Sequence, residues 1–198
     1  MAHPSSTADH EYVCAADTLD GFRVPVRLSG PDGGRVVIML DEVPGGQDAY
    51  DAVRDRLHVA TFRTLTIPAH PDLSPKSVIR ILDQFEVDSA LLVGDRSGGE
   101  LAWSLAASQR GRFTGLVVID CGHPRVPDLD GSVREKDCGP VEVDTTALVS
   151  SRTADAVARA SRRYVHGEFR LVDLAGPRNS RHFTAQLAAE IVVRALCR

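Results

Sequence analysis

A chain of 198 residues with 43% hydrophobic content is long enough to bury one substantial core and too short for two ordinary domains. Its formal charge of −4 excludes a sequence-wide basic field of the kind that neutralises phosphates, so no nucleic-acid partner is expected. The longest apolar runs, Val36 to Leu40 and Leu116 to Ile119, fall far short of the roughly 20 residues that cross a bilayer, so no membrane span is expected.

Residues 1–10 are polar and aperiodic and read as a flexible arm ahead of a single domain over 11–198. They lack the charged start and apolar run of a secretory signal, which makes the cytoplasm the expected location. Tyr12 to Ala16 and Phe22 to Leu28 alternate apolar with polar around Asp20-Gly21, predicting an antiparallel hairpin. Arg35 to Leu40 follows as an almost wholly apolar run, the mark of a strand covered on both faces.

From there the pattern alternates. A helix is predicted over Gln47 to Leu57, a strand over Thr61 to Ile67, and a helix opened by Ser74-Pro75 with Val78, Ile79, Leu82 and Phe85 on one face. Ser89 to Val93 reads as a strand, Gly99 to Ser108 as a helix and Gly115 to Ile119 as a strand. After a surface excursion over Arg125 to Pro140 come a strand, Val141 to Val149, a helix, Ala154 to Tyr164, a strand, Phe169 to Leu174, and a last helix, His182 to Leu196. This series predicts an α/β fold with a doubly wound, mostly parallel sheet and an antiparallel N-terminal hairpin.

Ligands of such sheets sit beyond the carboxyl ends of the strands. There, Leu91 to Ala107 contains Gly94-Asp95-Arg96-Ser97-Gly98-Gly99 followed by a small-residue helix. The segment resembles the nucleophile elbow of α/β-hydrolases, in which a strand ends in Gly-x-Ser-x-Gly-Gly. Val36 to Tyr50 is similar to that family's third strand and oxyanion loop. Phe62 to Pro68, Arg112 to Asp120 and Leu171 to Gly176 match further strands in order, so the resemblance extends from about Tyr12 to the C-terminus. Only residues 120 to 142 separate two of these strands, which implies a member with no cap domain.

Carried over residue by residue, the resemblance implies a degenerate catalytic set. Arg96 stands at the nucleophile position, and its permanently charged guanidinium cannot attack a carbonyl. Asp41-Glu42 stands where the family's oxyanion loop begins, and Asn179 aligns with the catalytic histidine. His182 matches only a second, noncatalytic histidine. The acid position falls at Thr153 or Ala154, with Asp155 one or two places late.

Two readings of each residue stay open. Arg96 either binds an anion near the N-terminus of the following helix or pairs with Asp41, Glu42 or Asp95. Ser97 either caps that helix or serves as a displaced nucleophile, with His182 or His123 as base and Asp155 or Asp120 behind it. His123, in Cys121-Gly122-His123-Pro124, otherwise reads as an exposed turn residue; Asp120 and His123 join Arg96 and Ser97 as possible ligand-binding residues.

No metal and no cofactor are expected. Asp41, Glu42, Asp95 and Asp120 enclose Arg96, and Cys121, His123 and Cys138 lack a fourth zinc ligand. Cys14 and Cys197 lie far from these two cysteines, and no Cys-x-x-Cys pair occurs, so buried or incidental thiols are predicted. The functional expectation is an α/β-hydrolase-like protein that has lost hydrolase activity and binds a partner protein or a small ligand. The alternatives are an active esterase or thioesterase using Ser97 and His182, and a structural homodimer subunit.

Overall fold

Alternating burial along Tyr12–Asp17 (β1) and Arg23–Ser29 (β2) sends Val24, Val26 and Leu28 into the core. The two strands pair antiparallel with Tyr12 opposite Leu28 and Asp17 opposite Arg23, which is the predicted hairpin. In the computed structural model, which describes residues 11–42, 47–127, 131–178 and 180–197, this hairpin forms one edge of an eight-stranded sheet. The other strands are Arg35–Glu42 (β3), Phe62–Ala69 (β4), Ala90–Asp95 (β5), Phe113–Ile119 (β6), Thr145–Val149 (β7) and Phe169–Asp173 (β8).

Their order is β1-β2-β4-β3-β5-β6-β7-β8. Strands β3 to β8 run parallel, and β2 joins β4 antiparallel. After β4 the chain returns across β3 to place β5 on its other side, so β3 and β5 flank a topological switch point. Loops diverge there and leave a crevice at the strand ends.

Successive residues of a strand face opposite sides of the sheet, and each side has its own core. Val37, Met39, Leu91, Val93, Val117 and Ile119 pack with Val53 and Leu57 of Gln47–Val59 (α1) and with Phe183, Leu187 and Ile191 of Arg181–Leu196 (α5). On the other side, Ile38, Leu40, Leu92, Leu116 and Val118 pack with Pro75–Gln84 (α2), Ser97–Ser108 (α3) and Ala158 of Arg152–Ser161 (α4). These double-faced cores explain why the central strands read as continuous apolar runs.

Several boundaries differ from the pattern-based prediction, three of them for a visible local reason. Strand β7 starts at Thr145 rather than Val141, because Val141 instead forms an isolated bridge to Val165. Helix α4 starts at Arg152, where the Ser151 side chain accepts from Ala154 N–H, and ends at Ser161; a 3-10 turn, Arg162–Tyr164, then tightens the chain. Helix α3 starts two residues early, at Ser97. Residues 120–144 between β6 and β7 contain neither helix nor strand among their described members.

Candidate functional site

Strand β5 is buried throughout and ends on Asp95. The next residue, Arg96, has φ 49° and ψ −110°, a backbone state that costs an L residue about 1–3 kcal/mol and persists only where its surroundings enforce it. Its amide donates to the Ile119 carbonyl at 3.1 Å and its carbonyl accepts from Glu100 N–H at 3.0 Å, tying the turn to both β6 and α3. Close approach completes the constraint: a Cβ on Gly98 would stand 2.0 Å from the Leu40 carbonyl oxygen, and one on Gly94 would stand 2.4 Å from that of Gly98. The elbow predicted from the glycines is therefore built, with Arg96 and Ser97 exposed at its tip.

Beside the tip lies a polar cluster drawn from four strand ends and one helix. Asp95 is 4% exposed. Its Oδ2 accepts from the Tyr50 hydroxyl, on α1, at 2.5 Å, and from Arg178 Nη1, in the loop after β8. Arg178 Nη2 donates to Asp120 Oδ2 at 2.6 Å, so one guanidinium joins the carboxylates that close β5 and β6. Ser150, just after β7, donates to the same Asp120 carboxylate through its amide at 2.7 Å and its hydroxyl at 2.6 Å.

Burial opposes ionisation of Asp120, but the two Ser150 donors and the Arg178 guanidinium outweigh it and hold the carboxyl below its usual range. Burial likewise works against the charge on Arg178, and its bonds to Asp95 and Asp120 overcome that, raising its affinity for the proton. The cluster is thus a fixed ion-pair network whose cation cannot act as a base. Asp95 Oδ1 is the exception, a buried oxygen with no hydrogen-bond partner among the described residues.

The predicted site residues divide accordingly. Asp120 and Asp95 belong to the cluster, and the cation on Asp95 is Arg178 from a distant loop. The side chains of Asp41 and Glu42 lie outside the described residues, as does Asn179. Ser97 does not cap α3: it is the first helical residue, Arg96 holds the N-cap position, and no side chain there makes a capping bond. His182 is exposed in the first turn of α5, and no hydrogen bond joins it to Ser97. Asp155 bonds Arg159 at 2.8 Å along α4.

His123 departs furthest from expectation. It is 1% exposed rather than on the surface. Its Nδ1 accepts from Arg125 N–H at 3.2 Å, its Nε2 donates to the Gly139 carbonyl at 2.9 Å, and its ring stacks on Tyr164 at 4.5 Å. Burial, and next the Arg125 charge, lowers its proton affinity, which fits a neutral structural ring. Cys138 Sγ stands 3.7 Å from Nε2, with its thiol pushed up to about 11 by burial and by Glu135. No group of three or more metal-ligating side chains gathers among the described residues.

Sequence reasoning missed Tyr50, Ser150 and Arg178. Tyr50 reads as one more apolar position of α1, and Arg178 sits in an arginine-rich loop with no motif. The usable signal was an arginine beside the aligned histidine position, in a fold that brings that loop to the ends of β5 and β6. A groove lined by Asp32, Arg35, Ala60, Phe62, Val192 and Leu196 lies at the opposite end of β3 and β4 and includes none of these residues.

No family model matches the chain, and no curated protein matches it in sequence. Solved structures do match. A hydrolase from Pseudomonas aeruginosa PA01 superposes with a TM-score of 0.74 at 16% identity, over 93% of this chain and 98% of that one. Epoxide hydrolase A from Mycobacterium thermoresistibile gives 0.72 at 10% identity, over 93% and 98%. The esterase EaEST from Exiguobacterium antarcticum gives 0.69 at 12% identity, over 91% and 100%. At these identities the likeness establishes architecture.

Proposed function

Taking the α/β-hydrolase fold as the frame, we propose that this chain has lost nucleophilic hydrolysis and works by binding a partner protein or small ligand at the carboxyl ends of its strands. Acyl transfer needs three things together: a nucleophile at the elbow tip, a base within reach to take its proton, and donors for the developing oxyanion. The tip carries Arg96. One residue before the position that sequence similarity assigns to the base, Arg178 is bound to Asp95 and Asp120. That bridge carries the proposal, because it commits the carboxylates that close β5 and β6 to a permanent cation.

The short connection over residues 120–144 supports the same reading. Read as capless, the strand ends suit recognition better than chemistry that needs a dry, water-excluding pocket.

The test is labelling by a serine-directed fluorophosphonate, read by mass spectrometry, alongside turnover of short-chain nitrophenyl esters. Wild type and Arg96→Ser are both expected to stay unlabelled and inactive, since a serine restored to the tip still lacks a base. Labelling of Ser97 in wild type, with turnover abolished by Ser97→Ala, would overturn the proposal.

A further inference from the structure

Away from the elbow, on the flank formed by the loop after β6 and the 3-10 turn after α4, an aromatic stack runs from core to surface. Trp103, fully buried, meets the His123 ring edge-on at 5.3 Å, and His123 stacks on Tyr164 with the planes 21° apart. Hydrogen bonds hold the middle ring: His123 N–H donates to Ser161 Oγ at 2.8 Å, and the ring nitrogens engage Arg125 N–H and the Gly139 carbonyl. Tyr164 is thereby presented as a fixed platform with one face already covered.

Two guanidiniums converge on what remains of that ring. The Arg125 guanidinium carbon lies 5.1 Å from its centroid and that of Arg163 lies 4.9 Å from it. Neither side chain forms an ion pair among the described residues, whereas most arginines in the structure do. Glu135, whose charge reaches His123, makes no ion pair with either arginine; its Oε2 accepts from the Ser104 hydroxyl at 3.0 Å. Two exposed like charges anchored to one ring form a local positive site whose guanidiniums have no ion-pair partner among the described residues.

We propose that Arg125 and Arg163, held on Tyr164, bind a phosphate dianion, free or as a phosphate monoester. Guanidiniums present planar pairs of N–H donors that match phosphate oxygens, and stacking on an aromatic ring restricts them before the ligand arrives. Two cations face two negative charges, which favours phosphate over a monocarboxylate. The site shares no residue with the elbow cluster and holds whether or not hydrolysis is lost.

The experiment is titration of the full chain with inorganic phosphate at low ionic strength, followed by two-dimensional amide NMR, with phenyl phosphate and acetate as parallel arms. Saturable shifts at Arg125 and Arg163, with acetate weaker, are expected. The double variant Arg125→Ala/Arg163→Ala should weaken phosphate at least about tenfold, the loss of one charge-assisted hydrogen bond. Arg159→Ala, which removes an arginine already paired with Asp155, should leave it unchanged. Tyr164→Leu should weaken phosphate binding while keeping both charges, which a merely diffuse electrostatic attraction would not predict. Equal affinity in wild type and the double variant, or equal competition by chloride, would overturn the proposal. Phenyl phosphate binding tighter than inorganic phosphate would identify a monoester as the ligand.

Discussion

Arg178 is the residue on which the candidate site depends. Its guanidinium is a quarter exposed, while the Asp95 and Asp120 side chains that it joins are 6% and 13% exposed. Removing the cation would strand two largely desolvated carboxylates, and breaking a buried pair in this way typically costs about 3 kcal/mol. Arg178→Ala should therefore lower the unfolding free energy by about that amount, measured by urea denaturation followed through the single tryptophan. Arg178→Lys should recover only part of the loss, because an ammonium's N–H donors radiate from one nitrogen and cannot occupy both positions that Nη1 and Nη2 hold. A loss below about 0.5 kcal/mol would mean that water already screens the pair. Arg96 is a different case: its side chain is exposed, and its importance lies in a backbone state that the glycines around it enforce.

The strand-turn-helix unit β5-α3 shows what those glycines do. Gly98 lies against the end of β3 and Gly94 against the start of α3, so strand and helix approach at a distance no side chain permits. Gly98→Ala would force its new Cβ onto the Leu40 carbonyl, where the nearest atom is backbone and cannot swing aside. The expected cost is at least about 2 kcal/mol, the range for overpacking a rigid site. Gly139→Ala is the matched comparison, since its Cβ would meet nothing nearer than 3.8 Å. There, restriction of the unfolded chain should leave stability unchanged or raise it by up to about 1 kcal/mol. Thermal unfolding of the two variants side by side checks both signs.

Taken together, the sheet makes stability pH-dependent through groups that its strand ends and following loops bury. Asp120 has its proton affinity lowered in the folded state, so its contribution is fully present above the unfolded carboxyl value of about 4 and is lost as pH falls through the lower folded value. His123 is also lowered, so folding increasingly resists its protonation as pH drops below about 6.5. The unfolding free energy should thus fall in two steps on acidification, and Asp120→Asn should flatten the acid step while leaving the upper one. Denaturation midpoints across that range would show it.

The sheet, its hairpin and the elbow were legible in the chain because their signals are local. Apolar runs such as Val36 to Leu40 mark doubly covered strands, and Gly94, Gly98 and Gly99 mark a turn that only glycine fits. The site was not legible in that way. Tyr50, Asp95, Asp120, Ser150 and Arg178 meet across 30 to 83 residues of sequence, and no spacing rule links an arginine after β8 to carboxylates at the ends of β5 and β6. His123 was misjudged for the same reason: its burial comes from Trp103 and Tyr164, side chains brought to it by other elements. Backbone conformation follows near neighbours in the chain, whereas the charge state and accessibility of a side chain follow its neighbours in space, and folding alone chooses those.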